Sequence, residues 1–127
     1  MTKPAVKITA ILGALILFAG ALFHMTALPG VKAFVAGGSP TFFEKTLPAM
    51  WMMPAIHWIF IAFASVGLAR YRSRSCAAIL MGFGLWVLVD ALMTFMAVGP
   101  FIGAFMLALA GLLLLTSGFM LRKDMMS

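Results

Sequence analysis

The sequence predicts an all-α integral membrane protein, a four-helix bundle of up-down-up-down topology. Three observations carry that reading. Four apolar stretches, at residues 6–28, 49–69, 76–98 and 101–121, take up most of the 127 residues. Bilayer hydrocarbon about 30 Å thick needs roughly 20 helical residues at about 1.5 Å each, so every stretch is long enough to cross it. Only 9% of the residues are charged and 65% are hydrophobic, whereas a soluble domain carries about 25% charged residues. The basic residues, finally, sit at the ends of the stretches: Lys3 and Lys7 at the start of the first, Arg70, Arg72 and Arg74 after the second, Arg122 and Lys123 after the fourth. The chain reads as a single transmembrane domain with the lipid bilayer as its solvent.

The same charges orient it. Lys32 and Lys45 are the only basic residues on the opposite side, so seven stand against two. The positive-inside rule then expects both termini and the 70–74 connection in the cytoplasm, with a bacterial inner membrane as the host. No nucleic-acid partner is expected despite the net charge of +6, because such a face needs basic side chains clustered with aromatics on a folded surface. The first stretch is read as a span and not a cleaved leader, whose apolar core is about 7–15 residues. Cys76 is the single cysteine, which excludes an intrachain disulfide and any Cys-based zinc site.

Taken in order, the first span carries Ala10, Gly13, Ala14, Gly20 and Ala21, small residues that let helices approach closely, and it is expected to stop at Pro29-Gly30. The connection up to Pro48 contains Phe34, Phe42, Phe43 and Leu47, too apolar for a solvated linker. It should lie along the membrane surface or fold over the outer mouth of the bundle. Ser39-Pro40, or Thr41-x-x-Glu44 as a capping box, can start a short helix there. The second span begins with Pro48 and contains Pro54, which predicts a bend near residues 50–54 and carbonyls in need of a partner. Trp51 suits the interface and Trp58 lies deeper. Gly99-Pro100 forces a reversal into the fourth span, whose small residues are Gly103, Ala104, Ala108 and Gly111. Short second and third connections imply antiparallel neighbours.

The polar residues within the spans are the candidates for function. Counting at about 1.5 Å per residue puts His24 roughly 6 Å from the outer end, and His57 and Asp90 each roughly 12 Å in. Asp90 is the most informative. An acid at the centre of a span costs about 2.5–3.5 kcal/mol, which favours an inward orientation and a partner. Equal depth makes His57 the first choice. Trp86, one turn before, and Thr94, one turn after, are further candidates. The pair then either handles a proton or orients a ligand, or it is interhelical glue that fixes register.

Twelve methionines add a second signal. Met50, Met53 and His57 share one helix face, and His24-Met25 lies nearby in the expected bundle. Thioether with imidazole suits copper(I). Haem between His24 and His57 is a further option, made awkward by a depth difference of roughly 6 Å. Ser65, Thr116 and Ser117 lie towards the other side, so no Ser-His-Asp constellation assembles. Phe34, Phe42, Phe43, Trp51, Trp58, Phe95, Phe101 and Phe105 gather around the outer half. With Trp51 at the mouth and an Asp–His pair inside, such walls suit a quinone, a sterol-like lipid or a pigment. Two functions from different classes follow. The first is a non-enzymatic accessory subunit that binds a membrane-protein partner or a second copy of itself through its small-residue faces. The second is a bundle that handles a lipophilic small molecule with Asp90 and His57. Copper or haem binding is the third.

Overall fold

The computed structural model describes residues 2–39 and 41–126, apart from the side chain of Phe43. All regular structure among them is helical: α1 (Pro4–Met25), α2 (Leu28–Ala36), α3 (Phe42–Leu68), α4 (Arg74–Val98) and α5 (Ile102–Asp124). Four of these, α1, α3, α4 and α5, are long and apolar enough to cross a membrane.

Local chemistry explains where each helix begins and ends, and it corrects three boundaries. The first helix stops at Met25, before Pro29-Gly30. Pro29 instead occupies the first turn of α2, where its missing N–H costs nothing and its fixed φ suits helix entry. The apolar connection therefore contains a helix of its own. No residue of α2 is buried, although the helix rests against α3. The capping box is present: Thr41 accepts from the Glu44 backbone, and the Glu44 carboxylate accepts from the Thr41 backbone N–H at 2.6 Å. It opens α3 itself, not a separate short helix, and α3 runs 27 residues with Pro48 and Pro54 inside. The alternative start at Ser39-Pro40 falls on Pro40, outside the described residues. Between α4 and α5 the chain reverses at Gly99, whose φ of 88° and ψ of −171° lie in a region open essentially to glycine alone.

Contacts along the helices fix their relative directions. Thr2 Oγ1 donates to the Ala69 carbonyl at 2.8 Å, and His24 meets Trp51, so α1 and α3 run antiparallel. Ser117 Oγ donates to the Val6 carbonyl at 2.9 Å, which sets α1 antiparallel to α5. Around the bundle the order is α3, α1, α5, α4, and the seam between α3 and α4 is the thinnest. The tightest seam is α4 on α5. Buried small residues recur every seven positions on both, at Ala77, Gly84 and Ala91 and at Ala104, Gly111 and Gly118. This is the repeat of left-handed helix pairing. A Cβ on Gly84 would stand 2.8 Å from the Gly111 carbonyl oxygen, and one on Gly118 would stand 2.8 Å from the Met81 nitrogen. Backbone meets backbone here, as small-residue packing in membranes allows.

The core has two parts. Leu17, Trp58, Ile61, Val87, Leu107 and Leu114 fill the middle and the α2 end. Val6, Ala10, Ala69, Ala77, Leu80 and Leu121 close the end that holds Pro4 and Asp124, with half-buried Cys76 packed against them.

Candidate functional site

At the α2 end the helices splay around a cavity of about 580 Å³. Its wall is mostly apolar, with Phe23, Pro54, Met93, Val98, Phe101 and Leu107 contributed by α1, α3, α4, α5 and the turn before α5. His24, His57, Trp51, Trp58, Asp90 and Thr94 complete it. Gly20 also faces this space, and a Cβ placed on it would meet nothing within 4 Å. Met93 lines the cavity and is 62% exposed.

Asp90 is the hub. His57 Nε2 lies 2.8 Å from its Oδ2, and Trp58 donates its indole N–H to the same oxygen at 2.8 Å. The structure gives the donor role to Trp58 and not to Trp86. Trp86 sits one turn before Asp90 as the spacing required, but its ring is 59% exposed on the outside of α4. Thr94 lines the cavity one turn beyond Asp90. Both bonds to Asp90 fall on Oδ2, so Oδ1 carries no protein donor among the described residues and remains an acceptor on the cavity wall.

The tautomers follow from the partners. His57 Nδ1 faces the Met53 carbonyl at 3.3 Å. A carbonyl only accepts, so Nδ1 carries the hydrogen of that bond and Nε2 is the nitrogen that faces Asp90. His24 donates from Nε2 to the Trp51 carbonyl at 2.8 Å, and Trp51 returns its indole N–H to the His24 carbonyl at 3.1 Å. The two rings stack at 4.6 Å and 8°. This reciprocal clasp ties the last turn of α1 to α3. Pro54, three residues on, leaves the Met50 carbonyl without its helical donor, and the carbonyl that His24 meets is the next one, at Trp51.

The metal candidates are not brought together in the same way. Met50 and Met53 are 59% and 65% exposed on α3, whereas Met25 packs against the core. Among the described residues no group of three or more His, Cys, Asp or Glu side chains converges. Trp58 lies edge-on to His24 at 5.3 Å and to His57 at 5.8 Å, so an indole packs against both imidazoles that a shared haem iron would need. The aromatic group also divides. Trp51, Trp58 and Phe101 line the cavity, together with Phe23, which the sequence reading passed over. Phe34, Phe42, Phe95 and Phe105 are exposed, and Phe43 lies outside the described side chains.

The small-residue faces change meaning too. Ala10, Gly13, Ala14, Gly20 and Ala21 on α1 and Ala104 and Gly111 on α5 are buried, whereas Gly103 and Ala108 on α5 are half-buried. They were the surfaces that favoured a partner helix. The signal for internal use was their seven-residue recurrence, matched by Ala77, Gly84 and Ala91 on α4. Comparison with protein-family models, with curated proteins and with solved structures finds no match.

Proposed function

We propose that this chain binds a small lipophilic molecule in the cavity at its α2 end. Asp90, His57 and Trp58 receive the molecule's polar head. One observation carries the reading: Asp90 stands on the wall of an apolar chamber with both its contacts, His57 Nε2 and the Trp58 indole N–H, on one carboxylate oxygen, and the other oxygen bonded to no described residue. Apolar walls with a few convergent polar groups are what small-molecule sites share. An open acceptor at that depth suits a hydroxyl or an N–H on an otherwise hydrocarbon-like ligand. The Trp58 indole N–H and the Asp90 carboxylate put a donor and an acceptor side by side on the wall, which suits a quinone-like or phenolic head. In this reading the four long helices form an up-down-up-down bundle in a bacterial inner membrane. Both termini are cytoplasmic, by the charge asymmetry of seven basic residues against two.

The experiment is mass spectrometry of solvent extracts from protein purified mildly out of its own membrane. One lipophile per chain is expected with the wild type and none with Asp90→Asn or with Gly20→Leu, which fills the chamber. Equal extracts from all three proteins would remove the proposal. A second reading, partner binding, keeps one specific support: α2 buries none of its residues and leaves Phe34 67% exposed. A stoichiometric second chain that is lost on Phe34→Ser is the result it requires.

A further inference from the structure

The opposite end of the bundle carries a second cavity that the ligand chamber does not involve. It measures about 480 Å³ and lies between the start of α4 and the end of α5, lined by Arg74, Ala77, Ala78, Met81, Arg122 and Met126. Its shape follows from the glycine seam. Gly118 brings the α5 backbone against Ala77 and Met81, where a Cβ would stand 2.9 Å from the Ala77 carbonyl oxygen. The next turns outward carry long side chains, so Arg74 and Arg122 flank a shallow apolar floor.

The charges at this end are divided between two tasks. Asp124 is 4% exposed and is taken by Lys3 Nζ at 2.9 Å, with Arg72 donating to its backbone carbonyl. Glu44 closes the capping box at the far end of the molecule and Asp90 lies in the chamber. These are the only three acidic side chains in the sequence. Arg74 and Arg122 therefore face the cavity with no carboxylate partner among the described residues. The first turn of α4 adds to the same field, since it contains no acidic residue and its N-cap makes no side-chain bond.

We infer that this cavity is a binding site for an anionic phospholipid, whose phosphate lies between Arg74 and Arg122 and whose acyl chain runs over Ala77, Ala78 and Met81. Two guanidinium groups match phosphate oxygens in geometry and charge. A basic pocket between spanning helices, at the end richest in lysine and arginine, is where acidic headgroups bind. The apolar floor distinguishes a lipid from a free phosphate, which has no use for it. The inference rests on the helices spanning a bilayer and is independent of the chamber.

The test is native mass spectrometry of the chain released from nanodiscs of mixed phosphatidylglycerol and phosphatidylcholine. The wild type should retain one phosphatidylglycerol. Arg74→Gln with Arg122→Gln should lower its retention about 30-fold, from roughly a fivefold loss per cationic contact. Lys7→Gln with Lys123→Gln removes the same charge elsewhere and should retain the lipid. Far-UV circular dichroism checks that both double variants are folded. A third arm adds inorganic phosphate at millimolar concentration, which should leave the retained lipid in place. Equal loss in both double variants would mean diffuse attraction to a basic end, and displacement by phosphate alone would mean a simple anion site. Equal retention of phosphatidylcholine would show no headgroup selection. Any of these three results overturns the assignment.

Discussion

The two ends of the bundle use the same scarce polar chemistry in opposite ways. At the end with the termini, Thr2 and Ser117 donate to backbone carbonyls, Lys3 and Arg72 close on Asp124, and small side chains bring helices to contact. Every group named there is turned towards protein. At the α2 end His57 and Trp58 meet the Asp90 carboxylate, His24 and Trp51 donate to each other's backbone carbonyls, and all five residues line an open chamber. The polar groups named at the first end tie helices to one another, and those at the second also line the chamber. The difference lies in where side-chain volume is missing. Gly118 is missing volume that the facing helix fills, and Gly20 is missing volume that nothing fills.

Adding one methyl group at each end should expose that contrast most strongly. Gly118→Ala forces Met81 and the α4 backbone to move and should destabilise the protein by about 1–3 kcal/mol, the ordinary cost of overpacking. Gly20→Ala should be neutral or should stabilise by up to about 1 kcal/mol, the helix-propensity gain alone. Unfolding in detergent followed by circular dichroism reads both. Equal losses at the two positions would break the comparison.

Asp90→Ala comes next. It strands the Trp58 indole N–H and His57, which predicts a loss of about 1–3 kcal/mol together with loss of the ligand. Asp90→Asn keeps an acceptor for Trp58, so most of the stability should return while the ligand does not. Recovery of both would reduce Asp90 to a structural tie between α3 and α4.

Ser117→Ala is the mildest. Removing its bond to the Val6 carbonyl should cost about 0.6 kcal/mol, as interhelical hydrogen bonds in membrane bundles do on average. It should leave ligand binding untouched, because the bond lies at the closed end. A change in ligand affinity would show that the two ends are coupled.

Much of the fold is legible in the sequence because the strongest signals are local. Four long apolar helices, the Thr41–Glu44 capping box and the Gly99-Pro100 reversal all follow from residues within a turn of one another. Depth counting led from Asp90 to His57 on another helix, and the two atoms lie 2.8 Å apart. What stayed hidden depends on how each helix is rotated about its axis. Trp86 lies one turn from Asp90 on the same helix and is 59% exposed, whereas Trp58 reaches the acid from the facing helix α3, which spacing along α4 does not reveal. Rotation also decides what the glycine and alanine faces meet: the row on α5 packs on α4, and the one on α1 packs on α5 and α3. Pro48 reads as the start of a span because proline so often opens a helix, yet the capping box at Thr41 and Glu44 opens α3 six residues earlier, at Phe42. Helix α2 went unread because Pro29-Gly30 serves equally as the end of one helix and the first turn of the next.

Tryptophan fluorescence offers the most direct measurement of the central claim. Trp51 and Trp58 line the chamber while Trp86 points outward, so Trp86→Phe leaves emission from the chamber alone. A brominated long-chain alcohol titrated into that protein in nanodiscs should quench with a saturable isotherm, and adding Gly20→Leu should abolish the saturable part. Quenching that rises without saturation, and equally in both proteins, would mean the probe merely dissolves in lipid and that no ligand chamber exists.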